Sequence, residues 1–119
     1  MTDLRPAKAV LIVFAMPGCP ACDDYLPRFK RQVAAFQQYG HRFAFRAAGQ
    51  PVERGTIPIF VYDASSPDPG LQQLADQYGV SGVPATILLT RYHGTKQLDG
   101  SVPDSEIYDT LLHAAQVNL

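Results

Sequence analysis

Two cysteines, Cys19 and Cys22, are the only thiols in this 119-residue chain, and two residues separate them. They sit in Met16-Pro17-Gly18-Cys19-Pro20-Ala21-Cys22, where an apolar run ends and a helical pattern begins. Such a pair can be a redox couple, half of a metal site or a structural staple. A staple closing so short a loop removes little chain entropy. Tetrahedral zinc wants four ligands. Only His41, His93 and His113 could complete such a site, and none of them has a paired ligand spacing. The spacing by itself also fits a scaffold that only binds.

The local setting favours redox chemistry. If Pro20 takes the first helical position, its missing N–H costs nothing there. Cys19 is then the cap residue, and its sulfur faces the free N–H groups of the first turn. Those donors and the helix dipole favour a thiolate over a thiol. Cys22 lies almost one turn on and is less exposed. Cys19 is therefore the expected attacking nucleophile and Cys22 the resolving thiol, which breaks the mixed disulfide and releases the reduced client.

The elements that must position this pair can be read in order. Met1 to Lys8 reads as a mobile lead-in. Ala9 to Ala15 has no polar alternation and is rich in branched residues, as expected of a central strand covered on both faces. From Pro20 the period changes: Tyr25, Leu26, Phe29, Val33 and Phe36 mark an amphipathic helix ending near Gly40, with Pro27 as an internal kink. The stretch from 41 to 56 reads as an insertion or long connection. Within it Arg42 to Arg46 alternates like a strand, and Gly49, Pro51 and Gly55 break the rest into loop. Its arginines read as a solvated face.

Ile57 to Tyr62 is a parallel strand in which Pro58 should lie at the start, because proline cannot donate to a central ladder. Asp63 to Gly70 is turn-rich, and its acids read as caps and turn formers. Leu71, Leu74, Ala75 and Tyr78 mark a short helix closed by Gly79. Val83 to Leu89 reads as a strand, and Tyr92 to Thr95 as a hairpin turn into a short strand ending near Gly100. Pro103 opens a last helix, with Ile107, Tyr108, Leu111, Leu112 and Ala115 on its buried side. The order implies an α/β fold of one domain over 1–119: a mixed four-stranded sheet flanked by helices on both faces.

Composition narrows the function classes. Charged residues make up 18% of the chain against 46% apolar, which suits a packed globular protein. A formal net charge of −1 supplies no global field for nucleic acid or anionic lipid. No apolar run approaches the length needed to span a bilayer. Ala9 to Met16 is short for a signal peptide, and cleavage there would remove the run that leads into the cysteines. The expected compartment is cytoplasmic, where such a pair is catalytic or metal-binding more often than structural.

The run Val10 to Cys22, Pro27, and Gln77-Tyr78-Gly79-Val80-Ser81-Gly82-Val83-Pro84-Ala85-Thr86 together resemble the thioredoxin family. The hairpin with Gly94 and Gly100 and the helix from Pro103 fit the same pattern. The resemblance omits the lead-in and the His41 to Gly55 stretch. It implies a thioredoxin-like fold and a redox-active disulfide, Cys19–Cys22, with no other cofactor and no metal. It further implies a cis Val83–Pro84 bond that places Pro84 against the cysteines, with the backbone of Val83 pairing with an extended client. On that pattern Gly18, Pro20, Ala21, Val83, Pro84 and Gly100 form the client-binding rim. The implied partners are protein disulfide clients and a recycling reductase, met by a monomer.

Departures from the pattern are as informative. The buried aspartate of the first core strand is replaced by Val13, and the lysine of the next strand by Ile59 or a neighbour. Ala15 and Gly18 stand where tryptophans usually flank the motif, so the approach to Cys19 is open. Asp23 and Asp24 bring favourable charge to the helix start. The same charge opposes a Cys19 thiolate and raises its pKa. Proline directly after the first cysteine looks more like glutaredoxins and the oxidising periplasmic members. No Gly-Gly-x-Asp segment follows to grip glutathione, so protein clients are expected ahead of it. The competing expectation is a binding module with incidental cysteines, its contacts made by Arg42, Phe43, Phe45 and Arg46.

Overall fold

A computed structural model describes residues 4–119. Its elements are β1 (Ala9–Ala15), α1 (Pro20–Gln38), β2 (Phe43–Phe45), β3 (Ile57–Asp63), α2 (Pro69–Gln77), β4 (Ala85–Thr90), β5 (Thr95–Asp99) and α3 (Asp104–Val117). They form one mixed sheet in the order β2-β3-β1-β4-β5. β2, β3 and β1 run parallel, and β4 and β5 are antiparallel to their neighbours.

All seven residues of β1 are buried, because side chains alternate between two covered faces. Ala9, Leu11 and Val13 enter a cluster with Tyr25, Phe29, Val33 and Phe36 of α1 and Ile107, Leu111, Ala114 and Ala115 of α3. Val10, Ile12 and Phe14 enter a second cluster on the other face, against which Leu74 and Ala75 of α2 pack. Helices therefore cover both faces, as the element order implied.

The sheet has five strands, where the sequence implied four. The fifth is the alternating segment inside the expected insertion: Phe43, Ala44 and Phe45 pair in parallel with Ile57, Pro58 and Ile59. Phe43 is buried, with its ring edge-on to Phe36 at 5.8 Å. The connection from β2 to β3 crosses to the α2 face, where Val52 is buried in the second cluster. The 41–56 stretch thus contributes to the core on both sides of the sheet.

Other boundaries moved for local reasons. Pro58 is the second residue of β3. The bonds to the β2 side run through the Ile57 N–H and the Ile59 carbonyl, and the ladder to β1 opens only at Leu11–Ile59, so neither needs a donor from Pro58. α1 runs unbroken through Pro27. Tyr108, expected on the buried side of α3, is half exposed, although its ring still meets Phe36 at 5.4 Å. In the described part of the lead-in, Leu4 packs on the second cluster and Ala7 is buried within it. Residues 1–3 of the lead-in lie outside the described residues. Among the described residues, no helix is long and apolar enough to cross a membrane.

Candidate functional site

The site forms where β1 ends and α1 begins. Pro20 occupies the first turn of α1, and Cys19, in extended conformation, is its N-cap. The Cys19 Sγ accepts a hydrogen bond from the Cys22 backbone N–H at 3.1 Å. The sulfur thus takes up one of the donors that a helix N-terminus leaves unpaired, in the field of the helix dipole. Cys19 and Cys22 are joined as a disulfide, with Cα atoms 5.2 Å apart. Cys22 is 1% exposed and Cys19 is only partly buried, so the Cys19 sulfur is the more accessible of the two. Gly18, Pro20 and Ala21 form the exposed rim around it. Gly18 has φ +71°, a left-handed conformation that glycine adopts without steric cost.

The opposite wall comes from 64 residues further along the chain. The Val83–Pro84 peptide bond is cis, and the Val83 carbonyl oxygen lies 3.9 Å from the Cys19 Sγ. An oxidised sulfur has no proton to donate, so this is close approach rather than a hydrogen bond. Pro84 is buried, and its carbonyl accepts the Gly100 N–H at 2.8 Å. The structure thus gathers Cys19, Cys22, Val83, Pro84 and Gly100, with Gly18, Pro20 and Ala21 beside them.

A polar network joins the first turns of α1 to the segment after Gly100. The Arg28 guanidinium donates to Asp24 at 3.0 Å, to Ser101 at 2.8 Å and to Asp104 at 2.7 Å. The Ser101 hydroxyl donates to the same Asp24 oxygen at 2.6 Å. The Ser101 bond, reinforced by the Arg28 bond and charge, holds the Asp24 carboxyl below its ordinary pKa. Arg28 therefore offsets the Asp24 charge near the disulfide, whereas Asp23 stays exposed in the first turn.

Below the disulfide, the Tyr25 and Thr86 hydroxyls are bonded at 2.7 Å in the interior. Burial holds the Tyr25 phenol above its usual pKa, so it stays a neutral hydroxyl. Val13 and Ile59 are fully buried, and Val13 stands between Val61 and Thr86 in register. Sequence reasoning treated Tyr25 as plain core and gave Thr86, Arg28 and Ser101 no role. The available signal was a tyrosine on the apolar face of a helix, since a buried phenol requires a partner.

The histidines are placed elsewhere. His41 follows the far end of α1, about 28 Å of helix from Cys19, and packs on Phe36. His93 lies in the β4–β5 turn and His113 on α3. Among the described residues, no group of three or more His, Cys, Asp or Glu side chains could hold a metal ion.

Comparison with curated proteins finds no sequence match. Solved structures share the fold. Thioredoxin from Fasciola hepatica superposes with a TM-score of 0.61 at 11% identity, over 92% of this chain and 85% of that one. Thioredoxin 1 from Thermosipho africanus TCF52B gives 0.59 at 18% identity, over 91% and 96%. The J-Trx1 fragment of ERdj5 gives 0.60 at 13%, and the chain, matched over 96% of itself, spans only 47% of that fragment. Identities this low speak for the fold alone, but the sequence itself matches the profile of the thioredoxin-like domain over residues 5–116. Almost the whole chain is therefore accounted for by one family description, and the chain belongs to the thioredoxin-like domain family.

Proposed function

We propose that the chain is a thiol–disulfide oxidoreductase that exchanges disulfides with protein clients, with Cys19 as nucleophile and Cys22 as resolving thiol. The observation that carries this reading is the position of the Cys19 sulfur. It caps α1, takes the Cys22 N–H, and lies 3.9 Å from the Val83 carbonyl. A sulfur held there is stabilised as a thiolate and faces a backbone segment along which an extended client can lie.

In the reducing direction, the Cys19 thiolate attacks one sulfur of a client disulfide. The client's other sulfur leaves and takes a proton, and a Cys19–client mixed disulfide remains. Cys22 then loses its proton and attacks the Cys19 Sγ. The Cys19–Cys22 bond forms and the client's second sulfur departs as a thiol. Two electrons pass from the protein dithiol to the client, and a dithiol reductase restores the pair. Val83 and Pro84 hold the client, and Gly18, Pro20, Ala21 and Gly100 border it.

Insulin reduction with a dithiol recycler tests the proposal. Wild type should turn over, Cys19→Ser should abolish activity, and Cys22→Ser should accumulate mixed disulfides visible on a non-reducing gel. Absence of turnover by wild type with any recycler would refute it.

A further inference from the structure

A hydroxyl pair lies buried between the helix that carries the cysteines and the strand that follows Pro84. Tyr25 is 0% exposed and Thr86 1%, and one hydroxyl donates to the other at 2.7 Å. The cluster around Tyr25 is otherwise built of aliphatic and phenyl side chains. A phenylalanine and a valine would fill the same space with no buried polar group to satisfy. Packing alone therefore does not account for the pair. What the bond adds is direction, because its strength falls steeply once donor and acceptor shift out of line.

Its location says what is being aligned. Tyr25 stands three residues after Cys22 on the same buried face of α1, so the two are neighbours on that face. Thr86 stands two residues after Pro84, opposite Val13 on one side and Leu98 on the other. Across the same gap, the Cys19 Sγ faces the Val83 carbonyl. On the solvent side the Arg28 guanidinium lies 5.9 Å from the centre of the Tyr25 ring and bonds to Ser101, next to the Gly100 that holds the Pro84 carbonyl. Pro84 is thus tied to α1 on both flanks, and the inner tie is the hydroxyl pair.

We infer that Tyr25 and Thr86 are positioning residues that set α1 against the Val83–Pro84 segment, and so favour extended peptide disulfides over small ones. The inference rests on the proposed exchange reaction. A peptide disulfide must meet the Cys19 sulfur and the Val83 backbone at once, so a small displacement between them penalises it. A small aromatic disulfide needs only the sulfur.

The test compares reduced wild type with Tyr25→Phe/Thr86→Val, measuring the rates of thiol exchange with a disulfide-linked peptide and with a bis-nitrobenzoate disulfide. The double variant leaves no unpaired hydroxyl, so its thermal midpoint should stay near wild type. Its peptide rate should fall roughly tenfold while the small-disulfide rate changes by less than about twofold. Thr86→Ser keeps the hydroxyl and should keep the wild-type ratio of the two rates. Tyr25→Phe alone should lower the ratio, which remains readable should the double variant fold poorly. An unchanged ratio in the double variant, a parallel fall of both rates, or a Thr86→Ser protein whose ratio falls as far as the double variant's would each overturn the inference alone. A wild type that reacts with the small disulfide but with no peptide would sink the proposed function with it.

Discussion

At the scale of single residues, the cysteine pair is set by what it bonds. Cys19 replaces the usual hydroxyl or carboxylate cap with a sulfur, so stabilising the helix end and stabilising a thiolate are the same interaction. Asp24 shows how a neighbouring charge is contained: Ser101 and Arg28 bond it, and Asp104 shares the guanidinium. Because its folded pKa lies below the unfolded value, Asp24 stabilises the fold above about pH 4 and loses that contribution as pH falls through the folded value. Asp24→Asn should therefore have a lower thermal midpoint than wild type at neutral pH. The gap should narrow on acidification below about pH 4. Asp63, held low by its bonds to Ser65, is present in both proteins and cancels. Melting curves from neutral to strongly acidic pH check this, and a gap that stays constant would show that the tie does not depend on the Asp24 charge.

At the scale of elements, β2 is the informative piece. Its residues Phe43 and Phe45, with Arg42 and Arg46, had been the candidates for a binding surface. The structure buries Phe43 in the core, whereas Phe45 and Arg42 stay exposed. Phe43 is 4% exposed, and both arginines face Glu53, at 3.7 and 3.8 Å. Phe43→Ala should cost about 3–5 kcal/mol of stability, measured by denaturant unfolding. Phe45→Ala, on a ring more than a third exposed, should cost markedly less. Arg42→Ala and Arg46→Ala break exposed pairs and should each cost about 1 kcal/mol or less. If Phe43→Ala left stability intact, β2 would be an appendage and not a fifth strand of the core sheet.

At the scale of the whole molecule, a net charge near zero conceals a separation of charge. The register places Asp63 beside Ala15 and Asp99 beside Ala85, at the end of the sheet that holds the disulfide. Asp23, Asp24 and Asp104 join them there, with Arg28 between the last two. Lys8, Arg91 and Lys96 lie toward the opposite end, where β1 starts, β4 finishes and β5 starts. Such a field steers the encounter of charged molecules with that end. A cationic peptide disulfide should react faster than an anionic one of equal length at low salt. The difference should shrink as the Debye length falls from about 30 Å at 0.01 M to about 8 Å at 0.15 M. Stopped-flow rates across that range would show it, and identical salt dependence for both peptides would rule it out.

The sequence alone determined the features that neighbouring residues encode. The change of period after Ala15, the cap-and-proline pair Cys19-Pro20 and the doubly buried run of β1 were all legible. Each depends on φ limits, orphan donors or side-chain alternation within a few residues. β2 was half legible: its alternation showed, but three residues are too few for periodicity to separate a strand from a loop. Only the tertiary structure decided that it joins the sheet, through its register with β3. The same holds for the bond between Tyr25 and Thr86, 61 residues apart, and for the acidic end of the molecule. The approach of Val83 to Cys19 entered the sequence reading only through a family resemblance. Strand order and register create these contacts, and no local pattern carries that information. The cysteine pair's own geometry was therefore written in the chain around it, while the wall it faces was decided by how the sheet assembles.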